Sequence, residues 1–191
     1  GVAMTTGDYN VAIGFQAADA MVGASDYNIA IGCNALGTEA SGADFCIAIG
    51  SSALAVQNDA AAVNVAMGLA SGQAITDGTA NTLIGYQTGA ALVGVDNNTA
   101  VGQSAGAAIT SGTANTLMGH YAGSAIQDDS YNTAVGYNAL AAATAGAGNT
   151  AFGYLAIGAG AVTGSNNTVL GRGAGYDLTA GDSNVMVGLN A

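Results

Sequence analysis

The chain has no lysine, no proline and no tryptophan, and its only strong base is Arg172. Against 12 acids this leaves a formal net charge of −11. Neutralising phosphates takes clustered cations, so nucleic acid is excluded as a partner, and so is docking on anionic lipid. No stretch of about 18 uninterrupted apolar residues occurs, so no membrane insertion is expected. Cysteine is scarce too: Cys33 and Cys46 are too few for a disulfide framework and leave the redox compartment open. There is no initiator methionine and no secretory signal pattern, which reads as a processed product or a piece of something longer.

Half of the residues are hydrophobic and 31 are glycine. That apolar fraction excludes ordinary disorder. Alanine and glycine supply much of it, so a core of bulky side chains would be thin. A stacked architecture in which small residues pack closely suits the composition better.

Such a stack is written in the order of the residues. The segments Asn115-Thr116-Leu117-Met118-Gly119 and Asn132-Thr133-Ala134-Val135-Gly136 share the pattern Asn-Thr-apolar-apolar-Gly. With Asn as position 0, the marker falls at Asn10, Asn28, Cys46, Asn64, Asn81, Asn98, Asn115, Asn132, Asn149, Asn167 and Asn184, every 17 or 18 residues. Position +4 is glycine every time: Gly14, Gly32, Gly50, Gly68, Gly85, Gly102, Gly119, Gly136, Gly153, Gly171 and Gly188. Position +1 is always β-branched, +2 always apolar and +3 always large and apolar. Positions +1 and +3 share one face of a strand. The reading places them inside the coil, with +2 turned toward a neighbouring chain. A second, weaker strand is expected after the glycine, with a small residue at +7 (Ala105, Ala122, Ala139), then a polar, glycine-rich turn.

The fold class is therefore all-β, a parallel β-solenoid of eleven coils, one rod domain over residues 1–191. Stacking at about 4.8 Å per coil makes it roughly 50 Å long. The asparagines form a structural ladder of amides, bonded to one another or to turn backbone. The glycines form a structural column that serves an unusual backbone angle or a close backbone approach.

The units "NVAIGFQA", "NIAIGCNA" and "NTAVGYNAL" resemble the head repeats of trimeric autotransporter adhesins and the related repeats of bacteriophage tail fibres. The resemblance covers the whole chain. It implies a left-handed β-roll with three chains side by side, in an extracellular rod carrying binding surfaces. It implies no catalytic residues.

Both ends fall in mid-coil without a cap. From Asn184 through Ala191 and on from Gly1 to Asn10 the count is 17, a normal repeat. Head-to-tail stacking of copies and an excerpt of a longer fibre both account for this.

Candidate sites are few. Asp8, Asp26 and Asp44 occupy one column and read either as a weak cation ladder or as carboxylates each closing its own turn. Tyr9 and Tyr27 before the Asn, and Tyr86, Tyr137 and Tyr154 after the Gly, read as ligand-facing rings or as seals of corners and seams. The six threonines from Thr82 to Thr168 at +1 raise a water-ordering, ice-binding reading, set aside because the column is placed inside. His120 and Arg172 are read as single residues without partners. No triad, cofactor site or metal cluster can be assembled. The expectation is a non-enzymatic structural fibre segment, extracellular, on a cell surface or a virion appendage, self-associating as a trimer or polymer. The alternative is an adhesin or tail-fibre segment binding a host glycan or receptor.

Overall fold

The computed structural model describes residues 7–21, 25–38, 44–58, 62–142, 146–158 and 163–191. Each repeat contributes one three-residue strand: β1 Val11–Ile13, β2 Ile29–Ile31, β3 Ile47–Ile49, β4 Val65–Met67, β5 Thr82–Ile84, β6 Thr99–Val101, β7 Thr116–Met118, β8 Thr133–Val135, β9 Thr150–Phe152, β10 Thr168–Leu170 and β11 Val185–Val187. They form a single eleven-stranded sheet in chain order, β1 to β11. All pairing is parallel and in register; Thr99, Ala100 and Val101 face Thr116, Leu117 and Met118. The chain is a parallel β-solenoid, with no helix among the described residues.

Backbone bonds between coils bracket each strand. The +1 N–H donates to the next coil's position-0 carbonyl, as from Thr99 to Asn115 at 2.8 Å. The glycine N–H donates to the preceding coil's +3 carbonyl, as from Gly102 to Ile84 at 2.7 Å. Both uses proposed for the glycine hold at once. Gly85 has φ +142°, and a Cβ there would lie 2.6 Å from the carbonyl oxygen of Gly102. The column is glycine because side chains avoid that angle and because the next backbone fills the space.

The expected second strand is not a strand. Positions +6 and +8 have positive φ, for example Ser104 at 54° and Gly106 at 58°, or Tyr121 at 57° and Gly123 at 58°. A strand cannot take alternate left-handed residues, so the chain curls back in a tight arc. The arc stays tied to its neighbours. Ser104 N–H donates to Tyr86 C=O at 2.9 Å on one side, and Gly106 N–H to Ala122 C=O at 3.0 Å on the other. Non-glycine residues there cost about 1–2 kcal/mol each, offset by these inter-coil bonds.

The strand faces are the reverse of the sequence reading. Position +2 points into the coil: Ala30, Ala48, Ala66, Leu83, Leu117, Ala134, Ala151 and Val169 are fully buried. Positions +1 and +3 point out, and Ile84, Met118, Phe152 and Leu170 are exposed. Parity decides this. The position-0 asparagines lie inside, and strand side chains alternate, so +2 follows them in and +1 and +3 face out. Bulk is not the deciding property, because the interior is narrow. Where +2 is large, the neighbouring +8 is small. A Cβ on Gly72 or Gly89 would stand 2.8 or 2.9 Å from the δ-carbons of Leu83. Gly106 and Gly123 flank Leu117 in the same way. The remaining interior volume is filled by Ile75, Leu92, Ile109 and Ile126 in some coils and by Leu36, Leu54, Leu140 and Ile157 in others. Full burial of one such side chain contributes about 1.5–3 kcal/mol.

Gly85→Ala should lower stability by about 2–4 kcal/mol, from the backbone angle and the collision together. Gly94→Ala is the control, since a Cβ there meets nothing within 4 Å. Thermal melts of both variants check this; equal melts would refute the role given to the column.

Candidate functional site

Two polar ladders run along the rod. In the first, each asparagine Oδ1 accepts the backbone N–H of position 0 in the next coil. The bonds run from Asn28 to Asn10 (2.8 Å), Asn81 to Asn64 (2.8 Å), Asn98 to Asn81 (2.9 Å), Asn115 to Asn98 (3.0 Å), Asn132 to Asn115 (2.9 Å) and Asn149 to Asn132 (2.9 Å). Asn167 donates to Asn149 and Asn184 to Asn167 in the same way. The amide nitrogen reaches the next coil's turn: Asn64 to Gly78 C=O (2.6 Å), Asn81 to Val95 C=O (2.7 Å), Asn98 to Gly112 C=O (3.0 Å) and Asn167 to Gly181 C=O (2.7 Å). One buried side chain thus satisfies a donor and an acceptor of the neighbouring backbone, groups that are costly to bury unpaired. Asn132 is an exception, its Nδ2 being buried without a partner.

The second ladder lies at position −2 and has the opposite polarity. Asp8 N–H donates to Asp26 Oδ1 at 2.6 Å, Asp26 N–H to Asp44 Oδ1 at 2.7 Å, and Thr79 N–H to Asp96 Oδ1 at 2.8 Å. Serine takes the acceptor role at Ser130 and Ser165. The aspartates therefore do not each close their own turn; they tie their coil to the one before it. Among the described residues no group of three or more His, Cys, Asp or Glu is placed to hold a metal ion.

Off these ladders, Asp128 accepts hydroxyl bonds from Ser111 (2.7 Å) and Thr110 (2.8 Å). Those bonds favour the carboxylate and hold its pKa below the ordinary aspartate value, the Ser111 bond foremost.

Cys46 is the one rung without an amide at position 0. It is buried, and Cys33 is exposed; neither is in a disulfide. Cys46 carries a thiol where the other rungs carry an amide, and its own N–H donates to Asn28 Oδ1 at 2.8 Å.

Some of the aromatic rings stack into two ladders, one along each edge of the strand. At −1, Tyr9 stacks on Tyr27 (4.9 Å between ring centroids) and Tyr27 on Phe45 (5.2 Å). At +5, His120 stacks on Tyr137 (5.2 Å), Tyr137 on Tyr154 (5.4 Å), and the Arg172 guanidinium lies over Tyr154 at 5.7 Å. His120 and Arg172, read from sequence as single residues, are the two ends of one stack. The signal was present, since all four stand at +5 in consecutive coils. Tyr86 is also exposed at +5, with Gln103 between it and His120 in the column.

The threonine column lies on the outward face, half-buried or exposed, and not inside the coil. The adjoining +3 column runs Ile84, Val101, Met118, Val135, Phe152 and Leu170, whose unequal sizes make the surface uneven. A concavity lined by Leu155, Tyr176, Leu178, Met186 and Asn190 lies at the end of the stack, over the last coil.

No family model, no curated protein and no solved structure matches this chain.

Cys46→Asn should complete the ladder by offering Oδ1 to the Asn64 N–H, raising stability by about 1 kcal/mol. Denaturant unfolding checks it, and a lower midpoint contradicts it. Asp128 should titrate, by NMR, below a free aspartate. Its depressed folded value means that its contribution is present above the unfolded pKa and is lost as pH falls through the folded one. Ser111→Ala with Thr110→Val should return it to the ordinary value.

Proposed function

We propose that the chain is a non-enzymatic structural segment of an extracellular fibre, a stiff β-solenoid rod that associates side by side with copies of itself. One observation carries this reading: the outward face of the sheet. Neither the +1 nor the +3 column contains a charged residue in any coil. Large apolar side chains stand uncovered on it, with Ile84 38%, Met118 45% and Phe152 52% exposed. Eleven strands at about 4.8 Å, by the three residues from +1 to +3 at about 3.3 Å, make a strip of roughly 500 Å². That is at the upper end of the range of about 300–600 Å² for the largest apolar patch on a monomer, a size that is often functional.

The resemblance to adhesin heads and tail fibres supplies the finer reading, a left-handed roll in a trimer whose axis runs along this face. It also supplies the setting, a cell surface or virion appendage. Because the register never slips, both ladders can continue into further coils, of a longer chain or of another copy stacked head to tail. A second reading, an adhesive segment that holds a host glycan or receptor, is favoured by the exposed aromatic ladders at the edges of the strip.

The native assembly should have a mass that is a multiple of 18.2 kDa by analytical ultracentrifugation. Ile84→Asp with Met118→Asp should yield monomers with an unchanged circular dichroism spectrum. A wild-type chain that is monomeric at every concentration would sink the proposal.

A further inference from the structure

We propose that the +5 ladder from His120 to Arg172 is a binding strip for a carboxylate-bearing oligosaccharide lying along the rod. The starting observation is Arg172. It is the only strong base in a chain with 12 acids, yet among the described residues its guanidinium pairs with no acid and lies over the Tyr154 ring. It is exposed, so an external anion can reach it. The only histidine, His120, closes the other end of the same stack. The chain's scarce basic groups are thus collected on one column and bracket two tyrosines.

The stack limits what can bind. The rings lie nearly parallel, 15° and 12° apart, so their faces cover one another and their edges face outward. A ligand therefore meets hydrogen-bonding edges and not an open ring. Tyr137 and Tyr154 are about half exposed, and among the described residues their hydroxyls make no hydrogen bond. The buried Nδ1 of His120 has no partner, which leaves Nε2 as the nitrogen that can serve a ligand. The strip offers, in order, an imidazole nitrogen, two phenol hydroxyls and a guanidinium, one per coil, at about 4.8 Å spacing.

A sugar chain suits this row. Phenol and imidazole groups exchange hydrogen bonds with sugar hydroxyls, and the guanidinium takes a carboxylate through two parallel bonds. A neutral glycan would leave the guanidinium without its anion. A nucleic acid needs several phosphates neutralised, and a single arginine cannot do that. A protein partner needs a far larger surface than four side chains. Each ring is held by its neighbours in advance, so little side-chain freedom is lost on binding. The strip goes beyond the fibre reading, since a single rod would carry it as well as an assembly.

The test is a titration of ¹⁵N-labelled protein with trigalacturonate and, separately, with maltotriose, a neutral sugar of equal length. Trigalacturonate should shift amide signals in the four coils from His120 to Arg172, and maltotriose should not. Arg172→Gln should weaken binding about tenfold or more. Tyr137→Phe and Tyr154→Phe keep the stack and should each weaken binding several-fold, with melting temperature and assembly mass unchanged. The Ile84→Asp, Met118→Asp chain should bind as wild type does, which separates this outcome from that of the fibre proposal. Absence of shifts with trigalacturonate, equal response to maltotriose, or undiminished binding by Arg172→Gln would overturn it.

Discussion

The bond between an asparagine Oδ1 and the backbone N–H of the next asparagine is the interaction on which the rest depends. It recurs from coil to coil, as from Asn115 to Asn98 at 3.0 Å, inside a buried column. Without it each coil would bury a backbone donor with no partner, at about 1–3 kcal/mol apiece. It also sets the parity of every strand. Once position 0 is inside, +2 must be inside and +1 and +3 outside. The small interior, the size compensation between Leu83 and Gly72, and the apolar outer strip all follow from that orientation.

The −2 ladder complements it. Asparagine offers its oxygen forward to the next coil, while Asp26 and Asp44 offer theirs back to the preceding one. Consecutive coils are therefore tied on both flanks of the turn by side chains as well as by backbone. The acidic column that gives the chain part of its charge thus has a structural use, and acids at −2 are not evidence of a cation site.

The period, the strands and the glycine column were legible because they rest on local chemistry repeated in phase. The orientation of the strand is not legible from bulk, since the large +3 side chains face outward. The asparagine column held the better clue: an amide that must serve buried backbone lies inside, and Met118 cannot then share its side. The arc after the glycine reads as a strand from sequence because Ala105 and Ala122 are compatible with either. Only their left-handed neighbours, Ser104 and Tyr121, distinguish the two. The +5 stack is legible only when His120 and Arg172 are placed in the column that holds Tyr137 and Tyr154, and not as single residues. Contacts across chains have no signature in a single chain beyond the uncharged columns that would make them.

The central claim is that the coil interior belongs to +2 and the contact between chains to +1 and +3. A cryo-electron microscopy map of the native assembly tests it most directly. The account predicts Met118 and Ile84 at the contact between neighbouring chains, with Leu117 and Leu83 enclosed within one coil. A map with Leu117 at the contact and Met118 enclosed, or with the outer strip facing bare solvent in every chain, would contradict it.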